Sequence, residues 1–324
     1  MLRTTIVLAL ACLALTAGVA IADSPSPFRA VGPSTDIRGI VPTKAEAHAF
    51  AGKGGSGGNL TYHGGPVLTT NRTVSIFWAP SNYPISTGYS TVINQYFDDV
   101  AVASGATDNV YSVLNQYYNS SNTHITYSSS HGGSYVDMQP YPTSGGCTDN
   151  VSQTTICITD GQIRAELQRL FSSSPSPIGA PSANTTYFVF TAKNVGSCFN
   201  SSTCAFSYYC AYHSNVSVGA TTDQYANQPY ADTVASACDS GYHPNAATSP
   251  DADATINVTS HEHRESINDP LGNAWYDRRG AEGSDKCAWN FGTVTGGFNQ
   301  TINNHHYILQ QEWSNSGSTC KLHA

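Results

Sequence analysis

Charged residues are scarce: they make up 11% of this 324-residue chain, under half of the roughly 25% usual in globular domains. Basic residues are scarcer still, 14 against 22 acidic, so the positive field that recruits nucleic acid is missing and nucleic acid is excluded as a partner. Beyond the first twenty residues no apolar run reaches the length of about 20 residues that a membrane span needs. No G-x-S-x-G elbow occurs, which removes the usual serine-hydrolase reading, and no internal repeat is visible. What the chain does have is apolar content: 40% hydrophobic and 10% aromatic residues exclude a wholly disordered protein. Its surface must be dressed largely in neutral polar side chains, a composition that suits secretion.

The N-terminus gives the same indication. Arg3 precedes an apolar run from Ile6 to Ala20, and Ala20-Ile21-Ala22 supplies the small-x-small pattern of a cleavable signal peptide over residues 1–22. Removing it takes Arg3 alone and leaves 13 basic against 22 acidic residues, a net −9. It also takes Cys12 and turns nine cysteines into eight: Cys147, Cys157, Cys198, Cys204, Cys210, Cys238, Cys287 and Cys320. An even set in an oxidising compartment favours disulfides over thiolate metal sites. Spacing leaves the connectivity open; pairing by proximity gives 147 with 157, 198 with 204, 210 with 238 and 287 with 320.

Residues 23–59 are rich in Pro, Ala and Gly and end in the run Ala51-Gly52-Lys53-Gly54-Gly55-Ser56-Gly57-Gly58, which predicts a leader or flexible tether. The folded region is expected at 60–324 as one domain. Thr73–Trp78 alternates as a strand, and Val92, Ile93, Tyr96, Phe97 and Val100 recur at helical spacing. A second helix is expected through Val110, Val113, Leu114, Tyr117 and Tyr118, and a third through Ile163, Leu167, Leu170 and Phe171. The third opens with the capping-box pair Thr159 and Gln162. Thr186–Thr191 reads as a buried strand and Cys198–Cys238 as a disulfide-pinned excursion. Ser249 and Pro250 start a last helix that Pro270 must end.

That last helix carries the densest chemistry, Ser260-His261-Glu262-His263-Arg264-Glu265. Positions four apart share a helix face, so His261 and Glu265 project together, with Ala254 and Val258 continuing the stripe toward the core. Zinc accepts an imidazole nitrogen or a carboxylate oxygen at about 2.0–2.2 Å, and catalytic zinc keeps three protein ligands and one open position. Glu262, rotated off that face, is placed to take a proton from water and hand it to a leaving amine. Downstream ligand candidates are Asp269, Asp277, Glu282 and Asp285. Glu282 is favoured because its return some twenty residues later resembles gluzincin-type zinc peptidases; Asp269, in i, i+4, i+8 register with 261 and 265, is the alternative. Calcium is the competing ion, since the acidic stretch from Asp269 to Asp285 offers hard oxygen donors. A solvated charged helix face would give the same letters with no metal at all. His63, His305 and His306 fit ordinary loop or core roles.

Tyr62-His63-Gly64-Gly65-Pro66-Val67-Leu68, Tyr187-Phe188-Val189-Phe190-Thr191-Ala192-Lys193-Asn194-Val195, Cys204 with Cys210-Ala211-Tyr212-His213, and Asp269-Pro270-Leu271-Gly272-Asn273-Ala274-Trp275-Tyr276 together resemble the exordium-like, or phosphate-induced, family of secreted proteins. Plant members generally carry apolar residues where this chain has His261 and Glu262. The His-Glu-x-x-Glu element resembles the microbial branch, for which a zinc-peptidase-like role is implied. The expectation is therefore an α+β, zincin-like single domain: a mixed sheet packed on helices and stabilised by disulfides. Its function would be that of a secreted zinc-dependent hydrolase, most simply a metallopeptidase acting on peptide or protein, with Glu262 as general base and metal ligands among His261, Glu265, Glu282 and Asp269. The competing expectation is a non-catalytic extracellular or cell-wall module that stacks its tyrosines and tryptophans on polysaccharide or meets a surface partner.

Overall fold

A computed structural model of the chain describes Phe28 and residues 30–31, 36–37, 39–51, 57–149 and 154–324. The signal segment 1–22 and residues 52–56 lie outside the described residues. The architecture is α+β. Six strands, β1 (Ile40–Pro42), β2 (Asn71–Trp78), β3 (Ser129–Asp137), β4 (Thr185–Thr191), β5 (Tyr209–Val218) and β6 (Thr221–Gln228), form one mixed sheet in the order β1-β5-β6-β4-β2-β3. The neighbours β6, β4, β2 and β3 run parallel. β5 is antiparallel to β6, and β1 is antiparallel to β5 at the sheet's edge.

Alternation sorts the side chains onto two faces. Val74, Ile76, Trp78, Tyr187 and Val189 meet helix α3 (Asp160–Ser172) through Ile163, Leu167 and Leu170. Phe77, Phe188 and Phe190 face the opposite way, toward α2 (Thr87–Val102) and α4 (Pro250–Asn268). β4 is buried at every position, as befits a central strand covered on both faces. Helix α1 (Lys44–Ala51) follows β1 directly.

Several expectations hold: β2, β4, α2, α3 and α4 lie where the patterns place them, and the capping box of Thr159 and Gln162 is formed in both directions. Four differ. The segment read as a tether supplies β1 and α1, because Ile37, Ile40 and Val41 are apolar enough to enter the core. The stretch Cys198–Cys238 contributes β5 and β6 to the main sheet; its cysteines and tyrosines hid an ordinary antiparallel pair. The second helix is a 3-10 turn over Val110–Gln116, opened by the Asn109 side chain accepting the Tyr111 N–H. Ser249 precedes α4 but its side chain makes no capping bond.

The eight cysteines form the four disulfides that proximity suggests, 147–157, 198–204, 210–238 and 287–320. Among the described residues no helix is long and apolar enough to cross a membrane. The disulfides are consistent with an extracellular, oxidising setting.

Candidate functional site

Helix α4 positions the site. Proline at its first position sacrifices no hydrogen bond, Asp251 and Asp253 complement its positive end, and Pro270 prevents its continuation. One side packs on β5 and β6, and the other lies under the chain from 269 to 314, so every residue from Ala252 to Asn268 is buried. Ala254 and Val258 face the core as expected, but no solvated face opposes them. A solvated charge run is therefore not what this sequence forms.

His261 and Glu265 meet as their spacing requires, Nε2 to Oε1 at 3.2 Å. Their third partner is Asp285, whose Oδ1 is 3.3 Å from His261 Nε2 and whose N–H donates to Glu265 Oε1 at 2.9 Å. Two donors each about 2.1 Å from a tetrahedral zinc lie about 3.4 Å apart, so this spacing suits a shared ion as well as hydrogen bonds. The other ring nitrogen, Nδ1, faces Gln310 Oε1 at 3.3 Å, the outer-shell contact that fixes a ligating imidazole.

Glu282 and Asp269 go elsewhere. They gather with the other oxygen of Glu265 around His213, a residue of β5: Nε2 lies 3.8 Å from Glu282 Oε2 and 3.4 Å from the Asp269 carbonyl oxygen, and Nδ1 lies 4.0 Å from Glu265 Oε2. Two groups of potential ligands result, His261-Glu265-Asp285 and His213-Glu265-Glu282, joined through Glu265. Every side chain in them is between 0 and 3% exposed. Glu265 Oε2, both oxygens of Glu282 and Asp269 Oδ2 receive no hydrogen bond from the protein. Buried carboxylate oxygens are rarely left so. Asp269 and Glu282 even face each other with no donor between them, an approach that only a shared proton or a cation makes favourable.

The electrostatics follow from that crowding. Burial pushes the carboxyls of Glu282 and Asp285 well above their usual range, helped for Glu282 by Asp269, Glu265 and Asp285 and for Asp285 by Glu265. Burial also raises Glu262 and Asp269. Burial works against protonating His261 and His213, yet the carboxylates beside them hold both rings above the ordinary histidine range. For Glu265 burial is outweighed by the two histidines, which keep its carboxyl low. A cluster short of positive charge thus retains protons, and a divalent cation would take their place.

Glu262 is not free. Its Oε2 lies 3.0 Å from His213 Nδ1, and its Oε1 accepts the N–H of Val41 in β1 at 3.3 Å. The remaining candidates stand apart: Asp277 pairs with Lys286 at 2.9 Å, His63 stacks on Tyr276, His305 contacts Asp99 and His306 stacks on Phe298. Cys147, Cys157 and Cys198 are close together, but each sulfur is spent in a disulfide. His213 is the candidate ligand that sequence reasoning missed; a lone histidine on a strand has no local signature, and its one trace is the block Cys210-Ala211-Tyr212-His213. Comparison of the chain with protein-family models, with curated proteins and with solved structures finds no match to any of the three.

Proposed function

We propose that this chain is a secreted metal-dependent hydrolase, with zinc the expected ion and peptide or protein the substrate. The observation that carries the reading is the buried constellation around Glu265: two histidines and four further carboxylates, several of whose oxygens accept nothing from the protein. The donor set fits a divalent cation. His261, Glu265 and Asp285 form the zinc-spaced triad, and His213, Glu265 and Glu282, with Asp269 beside them, form the oxygen-richer set to which calcium is the alternative. When bound, the ion supplies Lewis acidity at the scissile carbonyl.

The chain's own residues supply the rest. Glu262 takes the proton of the attacking water as the water's oxygen bonds to the carbonyl carbon; the C–N bond then breaks and that proton passes to the departing nitrogen. His213, 3.0 Å from Glu262, orients the carboxylate. The histidine-bearing helix under a mixed sheet, with an antiparallel strand beside it, supports a zincin-like arrangement, and the sequence blocks above support the microbial exordium-like resemblance.

Metal analysis of the purified protein tests the reading, its stoichiometry giving the number of filled triads. Glu265→Gln should lower metal content more than tenfold, whereas Glu262→Gln should retain the ion and abolish chelator-sensitive peptide hydrolysis. Protein free of metal, or hydrolysis indifferent to Glu262, sinks the proposal. A structural ion is the second reading, favoured by the complete burial of the donors; bound metal with no hydrolysis in any form selects it. The polysaccharide alternative loses its motive, because Trp78, Trp275 and most tyrosines, Tyr89, Tyr96, Tyr111 and Tyr187 among them, are core residues.

A further inference from the structure

β1 does not merely extend the sheet. Its backbone, with that of Gly39, lies against residues of the site. Gly39, which precedes it, sits so near that a Cβ at this position would stand 1.9 Å from His213 Cε1, 2.0 Å from His213 Nδ1 and 2.8 Å from Glu265 Oε2. The Gly39 carbonyl accepts the His213 N–H at 3.2 Å. Two residues on, the Val41 N–H occupies the Glu262 oxygen that a general base would offer to water. Backbone therefore touches both Glu262 and His213, and no side chain but glycine's would permit that approach.

The strand is attached by edge pairing, by burial of Ile40 and Val41 and by single hydrogen bonds, none of them covalent. Among the described residues β1 pairs only with β5, over three residues. Without it, β5 would be the sheet's edge, with its backbone groups open to an incoming chain. An extended peptide recognises such an edge by adding an antiparallel strand, main chain to main chain. The partner this geometry accepts is thus an extended polypeptide, and its backbone would run past Glu262 as β1 now does.

We infer that Gly39–Pro42 occupies the place of an extended polypeptide substrate on the edge of β5 and holds the site closed until it is displaced. This rests on the hydrolase reading above. The Val41 N–H already holds the Glu262 oxygen that a water would need, so the covering strand is not itself cut. A substrate residue with a side chain must stand further off, and that distance admits the water. Ile40 and Val41 are fully buried, and Trp289 Nε1 and Lys44 Nζ hold the neighbouring backbone through bonds to the Pro42 and Asp239 carbonyls. Cutting the connection favours release of the native strand, because it replaces a high effective concentration with that of a dissociable peptide.

The test uses the full secreted chain with a sequence-specific protease site inserted between Gly54 and Gly55. After cutting, hydrolysis of a peptide library and the rate of zinc transfer to a chelating dye should each rise at least tenfold. A synthetic peptide of residues 36–44 should restore the closed state, and the same peptide with Gly39→Val should not. Gly39→Val in the uncut chain, checked for fold by circular dichroism, should open the site without cleavage. Cut and uncut proteins that hold metal and hydrolyse equally would overturn the inference and leave the hydrolase reading standing. Cut protein that releases zinc faster yet hydrolyses nothing would keep the cover and sink the hydrolase. Absence of metal from both forms removes the two together.

Discussion

Helices α3 and α4 lie on opposite faces of one sheet and are held there by opposite means. α3 buries the stripe Ile163, Leu167, Leu170 and Phe171, closes its start with a reciprocal capping box, and leaves Gln168 and Ser172 among its residues in solvent. α4 buries every residue from Ala252 to Asn268, including His261, Glu262, His263, Arg264 and Glu265. Its fit depends on specific partners: His263 between Tyr111 at 2.9 Å and Asn71 at 2.8 Å, Asn257 accepting the Gln310 N–H at 3.1 Å, and Thr259 donating to Gln228 at 3.0 Å. Buried charge stabilises a fold poorly compared with apolar residues of the same volume. A helix built this way is explained by chemistry, and one built like α3 by packing.

The contrast breaks first at Arg264. This fully buried guanidinium donates to the Ser260 and Gln310 carbonyls, each at 3.0 Å, and lies 3.5 Å from Glu312 Oε2. Arg264→Ala should cost about 3–5 kcal/mol by leaving Glu312 unpaired in the interior, read as a lower urea midpoint. A loss under about 1 kcal/mol, the range of an exposed pair, would mean that α4 is solvated after all. On the other helix Leu167→Ala should cost about 3 kcal/mol for the cavity, with no change in metal content. A loss of metal there would erase the division between the helices.

How much of this was legible follows the same division. α3 could be read because an apolar stripe and a cap are local features. On α4 the spacing of His261 and Glu265 gave their meeting, but the helix's burial could not be read, since its cover comes from the chain between 269 and 314. Asp285 was one of several acidic candidates, and choosing between it and Glu282 needed the turn that sends Glu282 toward His213. His213 lies on a strand some fifty residues before Glu262, where alternation tells only which face it takes. The disulfides were legible because the eight cysteines pair consecutively along the chain, as in the hairpin joining Cys198 to Cys204. The covering strand was hidden by composition: glycine and proline around Ile40 and Val41 resemble a linker, and the edge that accepts them is a tertiary fact.

A smaller effect distinguishes the first turn of α4. Burial, opposed by the donors of Asn245 and by His243, raises the Asp253 carboxyl to about 6 from an ordinary 3.8. The folded chain then holds that proton more tightly than the unfolded one, so the group favours folding below about pH 3.8 and loses that contribution as pH rises through 6. Asp253→Asn lacks this decline. Its stability relative to the parent should improve between pH 4 and pH 7 in urea titrations, and a constant difference would place Asp253 in solvent.

The smallest effect is the most direct comparison, because the two helices begin with the same kind of residue. Thr159 accepts the Gln162 N–H at 3.3 Å while Gln162 Oε1 accepts the Thr159 N–H at 2.9 Å. Thr159→Ala should therefore cost about 1 kcal/mol, and Thr159→Ser should recover most of it. Ser249 holds the equivalent place before α4, yet its side chain caps nothing, and proline at the next position has already removed one of the N–H groups a cap would satisfy. Ser249→Ala should leave the melting temperature within error of the parent. If both alanine variants lost stability equally, α4 would start as α3 does, by local side-chain bonding, and its dependence on distant partners would hold only from its second turn onward.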